Sequence, residues 1–480
     1  MFGLTSRERA TSAAALTDEP VGLTVPPLDD EPLPRRGLVF FIVAMALFMA
    51  SVDQTIVATA LSTIERELHG GIEWSSWTIT VYSLGQILVM PLAGSLSDAF
   101  GRKKVFLIAV VLFTVASLCC GLATNIYMLV ALRGIQAIGG GALMPSATGI
   151  VGDHFGRNRD RAIGMFTSIF PIGGIVGPIL GGIFVTGWSW RGIFLVNVPI
   201  GVALIVLSVI FLPKVPPRPR SRIDSVGIVL LGSLLLAAMF GIAILGGGAP
   251  VLSMGFLLPE AIAVVALVLF ILHTKYAVAP FIPMRLLRGR GFGIMNLINF
   301  LYGAAALGFG ALVPLYAEDR FGIPILQAGT LLTARAIGTI AVAGLAVLAL
   351  RRTGYRMPMI VGFVVIAGGL VMMSIDVPSI PAYLWLSIAG ALTGLGMGLS
   401  VPASNNATMQ LARHQLAGVA GLRGMFRQAG SIMGISIATA IVAGNNSPGT
   451  ALAVVFTVFA AILVCVVPLV LLVPEHRGSW

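Results

Sequence analysis

The sequence has few charged residues. Only 10% of its 480 residues are Asp, Glu, Lys or Arg, whereas 57% are hydrophobic. A soluble globular domain carries about 25% charged residues, because water must wet its surface. The composition therefore excludes a cytosolic enzyme and a disordered chain. There are three cysteines: Cys119 and Cys120 are neighbours in an apolar run and Cys465 stands alone, so neither a disulfide framework nor a zinc site is predicted.

The sequence also lacks the motifs of nucleotide and metal chemistry. It contains no phosphate-binding G-x-x-x-x-G-K-[ST], no H-E-x-x-H and no G-x-G-x-x-G that follows a strand. We therefore predict no cofactor, no metal, no bound nucleotide and no enzymatic activity. The formal charge of +11 comes from short basic clusters between apolar runs, so no nucleic-acid partner is predicted either.

Long apolar runs dominate what is present. A helix that crosses a bilayer needs about 20 largely apolar residues. Fourteen runs of this kind, numbered here as spans 1 to 14, predict an all-α integral membrane protein. Their approximate bounds are 37–62, 74–97, 105–123, 126–152, 162–187, 192–213, 225–246, 251–273, 292–317, 326–350, 357–375, 382–405, 421–444 and 450–473.

The basic residues indicate the orientation of the spans, because positive charge accumulates in short cytoplasmic loops. With the N-terminus inside, most of the 30 Lys and Arg residues fall on the cytoplasmic side. Those on the other side are Arg66, Arg191 and Arg320. Reading residues 224–273 as one span would move every later basic cluster outside. We therefore predict two spans there and both termini in the cytoplasm.

The predicted organisation has two bundles of six helices with an inserted hairpin of two helices. The predicted segments are a cytoplasmic tail (1–36), the N-terminal bundle (37–213), a linker (214–224), the hairpin (225–273), a second linker (274–291), the C-terminal bundle (292–473) and a cytoplasmic tail (474–480).

Ionisable residues inside apolar spans are the first functional candidates, because each costs about 2.5 to 3.5 kcal/mol on insertion scales unless it is compensated. Asp53 lies well inside span 1, and Arg133 in span 4 is its natural partner. The proton affinity of such an acid depends on the arrangement of helices around it, as a proton-coupled switch requires. A purely structural ion pair is the alternative. Ser51 and Thr55 lie on another face of span 1, and which of the two faces lines a cavity stays open.

Further polar residues within the spans are candidates for a substrate cavity. They are Gln136 in span 4, Glu260 in span 8, Arg335 in span 10 and Arg427 in span 13. Arg423, one turn before Arg427, is expected to extend to the membrane interface instead.

Glycines indicate where helices pack closely. Gly173, Gly177 and Gly181 share one face of span 5, and Pro178 stands beside them, so this face packs a neighbour at short range or acts as a hinge.

The short loop after span 2 has the sequence GSLSDAFGRKK. Gly94 and Gly101 permit a tight turn, Asp98 can accept hydrogen bonds at a helix end, and Arg102 anchors the loop at the cytoplasmic surface.

Together these motifs resemble those of the major facilitator superfamily, in particular its 14-span drug:proton antiporter branch. The loop of residues 94–104 resembles the signature between the second and third spans. VDQTIVATAL around Asp53 and LVALRGIQAIGGG around Arg133 are similar to the first-span and fourth-span motifs, and residues 173–182 to the antiporter motif of the fifth span. The sequence departs from these motifs at Ala58, Ser62, Ala99 and Ala137.

The resemblance implies a proton-coupled antiporter of the cell membrane that exports lipophilic small molecules, as in multidrug efflux, by alternating access. Asp53 would bind and release the proton, and Arg133 would modulate the proton affinity of Asp53. The span 5 glycines would form a moving interface, and Asp98 with Arg102 would latch the cytoplasmic side. Because Arg335 does not suit a cationic cargo, the alternative is a dedicated exporter of a lipid-like or anionic metabolite. A membrane sensor without transport is a remote alternative.

Overall fold

The apolar runs form long helices, because a backbone that crosses hydrocarbon must satisfy its hydrogen bonds within each segment. The computed structural model describes residues 35–69, 71–213, 224–246, 249–277, 290–411, 416–443, 445 and 447–473. The predicted tails, 1–36 and 474–480, and the linkers, 214–224 and 274–291, fall largely outside the described residues.

The helices follow the predicted spans in order. Spans 1 to 6 correspond to α1 (Arg36–Leu68), α2 (Gly71–Phe100), α3 (Arg102–Gly121), α4 (Ile126–His154), α5 (Arg159–Thr167), α6 (Ile169–Gly187), α7 (Gly192–Leu195) and α8 (Asn197–Phe211). The hairpin consists of α9 (Ser225–Gly246) and α10 (Met254–Tyr276). Spans 9 to 14 correspond to α11 (Arg290–Tyr302), α12 (Gly308–Phe321), α13 (Ile325–Thr353), α14 (Arg356–Ser374), α15 (Ala382–Gln410), α16 (Leu416–Ala443) and α17 (Pro448–Val470).

The number of membrane-crossing helices agrees with the prediction in all spans but one. Among the described residues, thirteen helices are long and apolar enough to cross a bilayer. The predicted span 7 contains a shorter apolar stretch, Val226–Ile242. A fourteenth crossing at α9 therefore stays a prediction.

Spans 5 and 6 are each broken where one continuous helix was expected. Pro171 has no N–H to donate to the carbonyl of Thr167, and α5 ends at Thr167. Pro199 stands in the same relation to Leu195, where α7 ends. Proline therefore sets both breaks, whereas α6 continues past its internal Pro178.

Span 9 contains a π-helical turn, Gly303–Leu307, between α11 and α12. Gly303 lies directly against the backbone of Arg427 on α16, where an added β-carbon would overlap the Arg427 carbonyl. A π-turn inside an α-helix is frequently found at functional sites. This one places the end of α11 beside α16.

The two halves of the chain have separate apolar cores. Buried side chains between Val39 and Leu212 form two clusters within the N-terminal half, residues 36–212. Those between Met295 and Val473 form one within the C-terminal half, residues 290–473. Helix α9 of the hairpin packs on α2 of the first half and on α16 of the second.

The halves touch at the end of the bundles where α2 passes into α3, called the basic end here because Arg102 begins α3. A β-carbon added at Gly94 of α2 would overlap the backbone of α16 and lie 2.8 Å from the Cα of Gly418. The Gly418 N–H donates a hydrogen bond to Asp98 Oδ2 at 3.2 Å. The structure therefore has the two halves in close contact at the basic end.

Candidate functional site

Asp53 and Arg133 form a buried ion pair. Asp53 on α1 is 0% exposed and Arg133 on α4 is 1% exposed. Arg133 Nη1 lies 2.7 Å from Asp53 Oδ2. The structure thus brings together the two charged residues that the sequence proposed as partners.

The carboxylate of Asp53 accepts two further hydrogen bonds, both at Oδ1. Gln136 Nε2 donates from α4 at 2.9 Å, and Asn197 Nδ2 donates from α8 at 2.9 Å. Gln136 also accepts from Arg133 at 2.7 Å, and donates to Ser117 of α3 at 2.6 Å. The charge of Asp53 therefore joins α1 to α4 and α8.

The guanidinium of Arg133 is held on all sides. Its Nε donates to the Thr78 carbonyl of α2 at 3.2 Å. It lies over the Tyr82 ring, 3.9 Å from the ring centre, which is a favourable position for a cation. Gln136, predicted for a substrate cavity, bonds to both Asp53 and Arg133. We name the group of Asp53, Arg133, Gln136 and Asn197 the Asp53 cluster.

Small residues on α4 make this cluster possible. A β-carbon at Gly139 would lie 2.6 Å from the Phe113 nitrogen of α3, and one at Gly140 would lie 2.6 Å from the Tyr82 hydroxyl of α2. The glycine run therefore lets α2 and α3 approach α4 closely, as was expected of glycines inside a membrane span. Arg133 is enclosed by that approach.

The predicted glycine face of span 5 packs on the face of α1 that carries Ser51, Thr55 and Thr59, which we call the hydroxyl face. Added β-carbons would meet Ser51 at Gly173, Thr55 at Gly177 and Thr59 at Gly181. Ser51 Oγ donates to the Phe170 carbonyl at 2.6 Å. The hydroxyl face is thus a helix contact, and Asp53 lies on another face of α1.

The loop between α2 and α3 is tied to both halves by charge. Gly101 has a positive φ of 97°, a conformation that favours glycine, and α3 begins directly after it. Arg102 Nη2 lies 3.1 Å from Asp98 Oδ1, and Arg102 also pairs with Asp153 at the end of α4. Asp98 in turn accepts from Gly418 across the interface. The predicted pair, Asp98 and Arg102, therefore sits where the halves meet.

Three arginines lie inside the C-terminal half without the partners that Arg133 has. They are Arg335 on α13 and Arg423 and Arg427 on α16. Arg335 Nη1, Arg423 Nε and Nη1, and Arg427 Nε are buried and without a hydrogen-bond partner among the described residues. The expectation that Arg423 extends to the interface is wrong, because its side chain is 2% exposed. Packing of α16 against α2 and α11 covers it.

Glu260 lies apart from both groups. It stands on α10, and a β-carbon added at Gly241 of α9 would lie 2.7 Å from its Oε1. The carboxylate therefore faces the partner helix of the hairpin rather than the two halves. As a candidate for a cavity between the halves, it finds no support in this position.

Fold and site together define a class of protein: a multi-pass helical membrane protein that has a buried ion pair in one half and, in the other, buried arginine nitrogens without a hydrogen-bond partner among the described residues. The family model of the Major Facilitator Superfamily matches residues 43–295 and 295–480. The chain belongs to this superfamily of membrane transporters, as its motifs predicted, and is a multi-pass protein of the cell membrane.

Curated relatives match most of the chain. The "Multidrug transporter protein MdtP" of Bacillus subtilis is 31% identical over 416 residues, covering 85% of this chain and 75% of that protein. A "Multidrug resistance protein B homolog" of Mycobacterium tuberculosis is 30% identical over 82% of this chain and 74% of its own length. The "Methylenomycin A resistance protein" of Bacillus subtilis is 29% identical over 84% and 87%, respectively.

Solved structures share the fold. The human organic anion transporter MFSD10 (TETRAN) aligns with a TM-score of 0.69 and 16% identity, covering 91% of this chain and 100% of that one. The proton:xylose symporter XylE aligns with a TM-score of 0.64 and 14% identity, covering 92% and 97%. At these identities the likeness concerns architecture alone.

Proposed function

We propose that this protein exports lipophilic small molecules in exchange for protons. Relatives of about 30% identity that are named for multidrug transport or resistance support the cargo class. The observation that carries the coupling is the carboxylate of Asp53, which is fully buried and bonded to groups on two other helices. A single proton at this position changes the net charge of a buried cluster.

Protonation would loosen α1 from its neighbours. A protonated Asp53 loses its ionic attraction for Arg133, while Arg133 keeps its contacts to Gln136, Thr78 and the Tyr82 ring. Because the same carboxylate holds Asn197 of α8, one proton weakens the ties of α1 to two helices. Return of the charge restores them.

Alternating access requires the contact at the basic end to open and close. In the proposal this end faces the cytoplasm, and the present structure is the conformation closed on that side. Asp98, Arg102 and Gly418 form the latch. Each proton that enters down a potential of 100 mV supplies about 2.3 kcal/mol, enough for a cargo gradient of about 50-fold.

The test is proton flux in proteoliposomes with an imposed pH gradient, measured while lipophilic cations and anions are added. We expect cargo-triggered flux in the wild type and none in Asp53→Asn, which keeps the shape of the side chain but cannot carry the proton. Asp376→Asn, at an exposed loop position, is the matched control and should retain flux. Flux that survives in Asp53→Asn would show that another group couples transport to protons.

The alternative is a dedicated exporter of a lipid-like or anionic metabolite, and the three unpaired arginines favour it. The same panel separates the two possibilities. Competition by many unrelated compounds indicates a multidrug exporter, whereas competition restricted to anions of one shape indicates a dedicated one.

A further inference from the structure

The three arginines of the C-terminal half are all within electrostatic range of one side chain, Tyr302 at the end of α11. The charges of Arg335, Arg423 and Arg427 all act on the Tyr302 phenol. Arg423 and Arg427 are one turn apart on α16, so their like charges repel each other. Arg335 approaches from α13, with its guanidinium 5.4 Å from the centre of the Phe309 ring. We name these three residues the arginine cluster.

No carboxylate of the described residues neutralises this cluster. The acids of the described C-terminal half are Glu318 and Asp319 near the end of α12 and Asp376 in the loop after α14. None of them forms an ion pair with a cluster arginine among the described residues. Arg133, by contrast, has Asp53, Gln136 and a carbonyl. The arginine cluster is therefore a concentrated positive charge inside the membrane-spanning region without its anion.

Buried charges in membrane proteins pair with one another or mark the path of a ligand, because an uncompensated one is costly. Guanidinium groups present N–H donors in a planar fork that matches carboxylate, sulfonate and phosphate. Four such nitrogens of the cluster are buried and have no acceptor within the described part of the chain. The same chemistry repels a cation.

The surroundings of the cluster suit an anion with an apolar body. Beside Phe309, the ring of Phe170 on α6 lies 6.0 Å from the Arg427 guanidinium, across the interface between the halves. The buried side-chain amides of Asn296 on α11 and Asn405 on α15 are also unpaired within the described residues and offer further donors. Apolar rings thus stand next to charged and neutral donors.

We propose that Arg335, Arg423 and Arg427 bind the anionic group of an amphiphilic cargo, with the Phe309 and Phe170 rings beside its apolar part. This inference rests on the proposed transport function and narrows its cargo to anions that have a carboxylate, sulfonate or phosphate at one end. The proton then binds at Asp53 in the N-terminal half and the anionic cargo binds at the arginine cluster in the C-terminal half.

The test is equilibrium binding to the purified full-length protein in lipid nanodiscs, with no gradient imposed. The probes are three fluorescent compounds of one shape: anthracene-9-carboxylate, its neutral carboxamide and 9-anthracenylmethylammonium. Fluorescence anisotropy should show that the carboxylate binds at least about tenfold more tightly than the carboxamide, as the loss of charge-assisted hydrogen bonds predicts. The ammonium compound should bind more weakly still. Equal binding of the three compounds by the wild type overturns the proposal without any variant.

Variants then assign the site. Arg423→Gln and Arg427→Gln should each weaken carboxylate binding about tenfold or more and leave carboxamide binding unchanged. Arg352→Gln, at an exposed position near the end of α13, is the matched control and should change neither. Carboxylate binding that both cluster variants retain would overturn the assignment.

Thermal unfolding without ligand gives an independent readout. Removing a buried charge that has no partner should leave the melting temperature of Arg423→Gln equal to or above that of the wild type. A strongly lowered melting temperature would show that Arg423 is structural and overturn its role in binding. Binding needs no proton gradient, so the two proposals can fail separately. Selective carboxylate binding without proton flux would refute only the proposed proton coupling. Unselective binding with normal proton flux would refute only the anion site.

Discussion

Removing one partner of the Asp53–Arg133 pair should cost far more stability than removing both charges. The charges are 2.7 Å apart and fully buried, so their Coulomb attraction is about 6 kcal/mol at an effective dielectric constant of about 20. Desolvation of both groups offsets much of it, but a single substitution leaves the other charge buried without its partner. Breaking such a pair from one side costs about 3 to 5 kcal/mol.

The double variant Asp53→Asn with Arg133→Gln should behave differently. Neither charge remains, and the amides can still bond to Gln136 and Asn197, so the loss should be about 1 to 2 kcal/mol. The cycle of four proteins should therefore give a coupling energy of at least about 4 kcal/mol, measured by equilibrium unfolding in mixed detergent micelles. The same double variant should show no cargo-triggered proton flux, because it has no titratable group at position 53.

Additive effects would refute this reasoning. A coupling energy below about 0.5 kcal/mol would show that the two charges do not depend on each other for their burial. The exposed pair of substitutions Asp376→Asn and Arg352→Gln serves as the control cycle, and we expect its two small effects to add.

Two further predictions concern the glycine contacts. Gly177→Ala should lower the free energy of unfolding by about 1 to 3 kcal/mol and reduce transport, because the new methyl group overlaps the Thr55 hydroxyl. Gly182→Ala is the control, because nothing lies within 4 Å of its new methyl group. It should change neither the thermal unfolding nor the flux. Gly94→Ala should prevent the close contact at the basic end, so that a cysteine placed at Ala417 reacts faster with a soluble maleimide than in the parent; an unchanged reaction rate would contradict the steric argument.

Much of the Asp53 cluster could be predicted from the sequence, because a charge inside an apolar run stands out. Asp53 and Arg133 were found in this way, and their pairing followed from opposite sign. Asn197 was missed, since an uncharged amide at the start of an apolar run gives no comparable signal. That residue supplies the tie to α8, which only the packing of the helices reveals.

The burial of the candidate side chains and the helix faces on which they lie were less predictable than which residues were candidates. Arg423 lies two turns from the start of α16, and from the sequence alone its long side chain was expected to extend to water. The approach of α2, where an added β-carbon at Gly421 would overlap the Met90 carbonyl, closes that route. In the same way, the hydroxyl face of α1 was an ambiguous polar stripe until the glycines of α6, more than a hundred residues away, were seen to cover it. Long-range partners of this kind leave no local pattern.

The glycine contacts between α1 and α6 have a mechanical consequence. Because no side chain of α6 separates the two backbones at these points, α1 and α6 are in direct contact there. Helix α1 carries Asp53, and Ser51, two residues earlier on the same helix, donates a hydrogen bond to the Phe170 carbonyl at the start of α6. The Phe170 ring lies against Arg427 in the other half. In the proposed mechanism, a movement of α1 that begins with protonation of Asp53 therefore passes through α6 and Phe170 to the arginine cluster.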